Sequence, residues 1–328
     1  MRCEVYSPQY KDVWNATVLR SRNATFLHLR EYMDYHADRF CDASLLFFND
    51  KGKCLACLPA TSHTDNADIC SHGGLTYGGL LLTPEATTSI VSKILSLAGK
   101  HYKSLGYKEL VYKPVPHIYH STPAEEDLYW IFRAGGQLIA RSVSSTIPLH
   151  CPLPLSKLRR RKANHAIAHG FSTNLGQPSS CEDWEDYWKI LHEVLSERHA
   201  TIPVHNCEEI RLLHQRFPDN IRLFTVRNSQ SSIVAGCVMF ETQTTAHVQY
   251  IAANASGRDG GALDLLFSEL IEYYQHRRKA YFDFGISTEQ GGKTLNEGLI
   301  FQKEGFGGRA VCYDTYKVEL NQLIVLAE

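Results

Sequence analysis

The spacing of hydrophobic positions changes twice between 221 and 287. The runs 221–228 (IRLFTVRN), 232–242 (SIVAGCVMFET) and 246–253 (AHVQYIAA) are dense in β-branched and apolar residues, and the first two flank the turn Ser-Gln-Ser. Over 261–277 the period lengthens. Leu263, Leu266, Phe267, Leu270, Ile271 and Tyr274 fall at i, i+3, i+4, i+7, i+8 and i+11, which is one face of a helix. The run 280–287 (AYFDFGIS) returns to strand spacing. The predicted order is an antiparallel meander, a glycine-rich turn, a helix and a strand. A covering helix returns the chain so that the last strand runs parallel, or nearly so, to the third.

The first half repeats this plan at an offset of about half the chain. ASLLFFN and KCLACLPA flank Asp-Lys-Gly, a hairpin signal, and 71–82 reads as a glycine-rich strand. Thr83 with Pro84 is the expected start of a helix carrying Ile90, Ile94, Leu97, Ala98, His101 and Leu105 on one face, before the strand 108–115. A duplication accounts for the repeat. Pro148, Pro152 and Pro154 break regular structure, which puts a boundary near 150, with domains at 1–150 and 151–328. Beyond it, Lys157 to Lys162 holds five basic residues in six positions: a solvated helix face, or a helix turned to an anion. Residues 182–198 form an amphipathic helix with Trp184, Tyr187, Trp188, Leu191 and Leu195 inward, and Ser179 with Glu182 makes a capping box.

The turn Gly257-Arg258-Asp259-Gly260-Gly261-Ala262 stands between a strand and a helix. A helix N-terminus offers unpaired N–H groups and partial positive charge, and glycines let an anion approach them. A phosphate or pyrophosphate site is one reading; an ordinary strand-to-helix turn is the other. On the first reading the turn is exposed, and glutamate at Gly260 or Gly261 blocks the anion without harming the fold.

Composition narrows the class. The chain has 328 residues, 44% hydrophobic and 21% charged, with net charge −1, which fits a globular protein rather than a dedicated nucleic-acid binder. No apolar run of signal-peptide or membrane-spanning length is seen, so a cytoplasmic protein without a membrane span is expected. The ten cysteines are scattered and read as reduced. Cys54-x-x-Cys57 with Cys70-x-His72 could be drawn as a zinc site. However, Cys54 and Cys57 lie in a strand-like run, where residues three apart face opposite ways, and no metal is expected.

The second half resembles the FemAB-like branch of the Gcn5-related N-acetyltransferase (GNAT) superfamily. The matching pieces are HVQYIAANASGRDGGALDLLFSELI, FDFGISTEQGGKTLNEGL and KEGFGGRAVCYDTY, preceded by RRRKANHAIAHG. The first half looks like the degenerate partner domain of the same tandem arrangement. The resemblance implies an α/β fold (α+β, mixed sheet) of two tandem GNAT-like domains. It also implies an acyl donor bound where two neighbouring strands splay, with its pyrophosphate on the turn. Acetyl-CoA or another acyl-CoA would then be held by Ile251, Ala252, Ala253, Gly257, Arg258, Gly260, Gly261 and Ala262. The turn departs from the pattern Gln/Arg-x-x-Gly-x-Gly/Ala: Arg258 in register with Gly261 leaves Leu263 at the last small position. The Fem branch also includes enzymes that use aminoacyl-tRNA, so tRNA stays open as a donor.

Transfer from a thioester to an amine requires a proton acceptor, donors for the oxyanion and a site for the leaving thiolate, but no covalent enzyme intermediate. The expected oxyanion donors are backbone N–H groups near Ile251–Ala253. Asp283 and Glu289, flanking the end of the fourth strand, are the expected bases, with Tyr313 as a further catalytic candidate. Tyr250, His205, Asn296, Lys303, Arg160 and Arg161 are the expected acceptor contacts. His205 belongs to the loop RHATIPVHN with Arg198 and His199. Simple alternation puts His247 and Gln249 on one face of the third strand and Tyr250 on the other. The acceptor is expected to be a small molecule or a cell-wall precursor. Three functions remain open: an acyl-CoA-dependent N-acyltransferase, an aminoacyl-tRNA-dependent transferase of the Fem type, and a binding protein that keeps the fold without catalysis.

Overall fold

The computed structural model describes residues 1–36, 38–62, 68–199 and 201–327, without the side chains of His36, Arg198 and His199. The chain forms two compact units. One comprises Met1–Ser142, Thr288–Thr294 and the segment from Cys312 on; the other comprises Val143–Ser287 and Leu295–Val311. A single cut at 150 therefore does not separate them, because the last strand belongs to the first unit.

In the first unit, Leu45–Phe48 and Cys54–Leu58 form the expected hairpin, flanked by Arg2–Val5 and by Leu81–Leu82. In its second sheet, Asp68–Cys70 runs parallel to Glu109–Tyr112, and the end of Arg309–Glu319 pairs antiparallel with the latter. The strand expected over 71–82 shrinks to Leu81–Leu82. The helix is Thr88–Ser104, with Thr87, not Thr83, at its N-cap position. Thr83 is buried, and its hydroxyl donates to the Leu55 carbonyl, 2.7 Å away, so sheet pairing takes the residue that the local pattern assigns to a cap. Leu45, Phe47, Ile94, Tyr102, Tyr112, Val318 and Leu323 share one core.

In the second unit the strand order is Ser172–Thr173, Ile221–Arg227, Ile233–Glu241, Thr245–Ala253, Tyr281–Ile286, then the second half of Gln137–Pro148. All neighbours are antiparallel except Thr245–Ala253 and Tyr281–Ile286, the parallel pair expected from the intervening helix. That helix, Ala262–His276, buries Leu266, Phe267, Leu270, Ile271 and Tyr274 against Phe224, Val248, Phe282 and Phe284. Leu265 is also buried, while Leu263 is only partly covered. The helix Cys181–His199 starts with a reciprocal Ser180–Asp183 cap, one residue beyond the expected one; Ser179 instead donates to the Leu223 carbonyl.

Candidate active site

The parallel pair separates soon after it forms. Thr245, Ala246 and His247 are paired with Tyr281, Phe282 and Asp283, and the register ends there. Beyond this point, among the described residues, the edge of 248–253 turned toward the fourth strand has no register partner, while the other stays bonded to Ile233–Glu241. Gly285, at φ +75°, turns the fourth strand away, a conformation that costs an L side chain energy but not glycine. Lys303, on the helix Glu297–Gly305, holds the diverging end. Its Nζ donates to the carbonyls of Gly285 and Ile286, each 2.8 Å away. Burial pulls the Lys303 ammonium down to about 8, opposed by the negative charge of Asp283.

A cleft of about 380 Å³ opens along this gap. Ile251, Ala252 and Ala253 form its floor, Gly257, Arg258, Gly261, Leu263 and Asp264 one wall, and Gly298, Leu299, Phe301 and Gln302 the other. Arg159 and Lys162, on the helix Lys157–Ala168, close its head. Six of the eight expected donor residues therefore line one cleft, while Gly260 and Ala262 do not. Arg159 is buried and pairs with Asp264 at 2.7 Å, and its Nε has no hydrogen-bond partner. Burial raises the Asp264 carboxyl, and Arg159 pulls it back. Arg258 donates to the Ala253 carbonyl at 2.8 Å. Three cations against one carboxylate suit a multiply charged anion.

The glycines have a different reason from the expected one. The stretch after the strand is itself a short helix, Ala255–Gly260, capped by Asn254, and Gly261 at φ +78° joins it to the next helix. A Cβ at Gly257 would sit 2.3 Å from the Val234 carbonyl, one at Gly260 2.5 Å from the Phe171 ring, and one at Gly261 2.7 Å from the Lys162 carbonyl. The glycines thus allow close packing of neighbouring elements. Glutamate at Gly260 or Gly261 would break that packing, so the expected harmless substitution does not hold.

Asp283 is fully buried. It accepts hydrogen bonds from Ser144 Oγ (2.5 Å) and Thr146 Oγ1 (2.8 Å), and its Oδ2 lies 2.7 Å from His247 Nδ1. Burial alone would push its carboxyl up, but His247 and the two hydroxyls together hold it at about 2. A carboxylate so stabilised is a poor proton acceptor. His247, half of this pair, was not among the expected site residues. The available signal was its place in register with Asp283, which only strand pairing reveals.

A bulge changes the faces of the third strand. Tyr250 opposes Val238 and Val248 opposes Met239, so Gln249 is the extra residue. Ala246 and Val248 pack in the core beneath the helix Ala262–His276, whereas Tyr250 joins His247 on the other face, contrary to simple alternation. Tyr250 packs edge-on to Trp188, and its hydroxyl lies 2.5 Å from His205 Nδ1; burial raises the phenol to about 12. Both residues are buried and lie outside the cleft lining. Asn296 caps the helix Glu297–Gly305 by accepting from Leu299 N–H. Arg160 and Arg161 are exposed and do not line the cleft; Arg159 and Lys162 from the same run do. Glu289 is exposed and Tyr313 is buried, its hydroxyl 2.8 Å from that of Tyr119; both belong to the first unit. The side chains of Arg198 and His199 lie outside the described part. Among the described residues no group of three or more His, Cys, Asp or Glu is placed to hold a metal.

Residues 156–291 match the acetyltransferase (GNAT) domain family. That segment carries a GNAT acetyltransferase domain. No curated protein matches its sequence. Among solved structures, FemX is similar over 98% of each chain, with a TM-score of 0.69 at 12% identity. L-PGS from Bacillus licheniformis has a TM-score of 0.62 at 13% identity, covering 98% of this chain and 97% of that one. The C-terminal domain of a putative lysylphosphatidylglycerol synthetase from Agrobacterium fabrum has a TM-score of 0.59 at 13% identity, covering 95% and 92%. At these identities the likeness is one of fold, and it is the tandem fold expected from the sequence. The matched segment includes both diverging strands and most of the cleft lining, while Gly298, Leu299, Phe301 and Gln302 lie beyond it.

Proposed function

We propose that this protein is an N-acyltransferase that takes an acyl group from acyl-CoA, bound in the second unit's cleft, to the amine of a small molecule or cell-wall precursor. The observation that carries this reading is the unpaired strand edge 248–253, leading from a head lined by Arg159, Lys162 and Arg258. Six residues of strand span about 20 Å. A long, thin donor can lie along that edge as a missing strand would, with its phosphates at the cationic head. Ile251–Ala253 would meet its chain, and backbone N–H groups near the bulge would face the carbonyl where negative charge develops.

Calorimetric titration with acetyl-CoA tests the donor. Wild type should bind, and Lys162→Glu should lose at least tenfold in affinity at low salt, because it reverses a charge in the cleft. Equal binding by both proteins would refute the phosphate-cleft assignment.

A second reading, transfer from aminoacyl-tRNA, has its own support. Lys157, Arg160 and Arg161 are exposed at i, i+3 and i+4 of one helix, a face able to follow a nucleic-acid backbone. A wild type that binds charged tRNA but not acetyl-CoA would favour it. In that case the double substitution Arg160→Ala, Arg161→Ala should weaken tRNA binding and flatten its salt dependence.

A further inference from the structure

We propose that His247 is the residue that takes the proton from the acceptor amine, with Asp283 as its positioning residue. This rests on the acyl-transfer reading of the same site.

The pair stands at the last register position before the two parallel strands part. From Ile251 on the cleft floor to His247 is four residues of strand, about 13 Å. A donor lying along the open edge thus brings its reactive end toward this vertex. The imidazole lies over the strand exactly where it turns: its Cε1 is 3.3 Å and its Nε2 4.0 Å from the place where Gly285 would carry a Cβ. Glycine there leaves room for the ring. The His247 side chain retains 15% of its exposure, whereas Asp283 has none.

The tautomer follows from the partner. Asp283 is an acceptor only, with two hydroxyls already donating to one oxygen. Nδ1 must therefore carry the hydrogen that meets Oδ2, which leaves the lone pair of the neutral ring on Nε2. Lys303, on the helix Glu297–Gly305, is a further charged group that feels Asp283, and Tyr250 with His205 lie on the same sheet face as His247. In the step itself, Nε2 takes a proton from the acceptor ammonium. The freed amine attacks the acyl carbonyl, a C–N bond forms, and the C–S bond to the donor breaks. The departing thiolate leaves with the electron pair and takes the second proton of the attacking nitrogen, directly or through solvent, which leaves a neutral amide. His247 then gives the first proton to solvent, so charge and protons balance.

Two measurements test this. Long-range ¹⁵N–¹H correlation on histidine-labelled protein should show neutral His247 in the Nδ1–H form, and Asp283→Asn should disturb that form. CoA release from acetyl-CoA, followed across pH with a panel of primary amines, should fall about 10²- to 10⁴-fold in His247→Gln. The limb on which the rate rises as the proton acceptor is deprotonated should vanish. Affinity for acetyl-CoA should stay within twofold of wild type. The Nε2–H tautomer, full turnover by His247→Gln, or parallel loss of rate and affinity would each overturn the proposal. A wild type that does not bind acetyl-CoA overturns the donor reading instead, and the tautomer then decides for or against His247 alone.

Discussion

Asp283 shows how surroundings decide what a residue can do. By type and position it reads as a general base; in place it is a carboxylate bound on both oxygens and held at about 2. Its ordinary value of 3.8 is thus depressed in the folded protein. Such a group contributes stability that is present above pH of about 4 and is lost as pH falls through about 2. The contribution is about 2 kcal/mol. Urea unfolding should therefore show wild-type stability dropping between pH 4 and pH 2.5 by more than that of Asp283→Asn. Parallel curves for the two proteins would mean that Asp283 is not held as a carboxylate. The run 157–162 teaches the same lesson. Its charge density was legible, but helix rotation alone separates Arg159 and Lys162, at the cleft, from exposed Arg160 and Arg161.

At the scale of elements, one inserted residue sets the chemistry of a strand. The Gln249 bulge carries Tyr250 to the face of His247 while keeping Val248 in the core. Deleting Gln249 would remove only the extra residue, so that Tyr250, Ile251, Ala252 and Ala253 follow Val248 by plain alternation on the faces they already hold. The deletion should therefore leave the protein folded, losing only the local twist of the bulge, whereas deleting the paired Val248 as well should turn the core face out. Gln249→Ala should cost less than about 1 kcal/mol. Circular dichroism melting checks this; an unfolded Gln249 deletion would show that the bulge itself is needed to hold the register. The glycines before the next helix were legible as a special feature, but their purpose was not. A phosphate turn and a point of close approach between elements call for the same residue, and only the neighbours, Val234, Phe171 and Lys162, tell them apart.

At the scale of the molecule, the chain returns to its first unit at the end. Tyr316 to Glu319 pair with Glu109–Tyr112, and Val318, Leu320 and Leu323 are at most 2% exposed in the first core. A fragment of residues 1–150 lacks these and exposes the apolar surface they cover. Burying three such side chains is worth about 5 kcal/mol, comparable to the whole stability of a domain. Fragment 1–150 should therefore show no cooperative urea transition, and adding back 309–328 through a flexible linker should restore one. Cooperative unfolding of 1–150 alone would refute this account of the first unit.

The amino-acid pattern by itself determined the alternation of strands and helices, the parallel strand pair and its covering helix, the two-fold plan and the GNAT resemblance. These depend on hydrophobic period and local turn chemistry, which short windows of sequence carry. It also marked Ile251–Ala253, Gly257, Arg258 and Gly261, which line the cleft, and Lys303, whose amine holds the parting strand. Only the tertiary structure decided the Asp283–His247 pair, the choice of Arg159 and Lys162 over their neighbours, the face of Tyr250 and the membership of the last strand. Each of these is a relation between residues distant in the chain, set by register, by rotation about a helix axis or by the packing of one element on another. No periodicity within a single segment encodes such a relation.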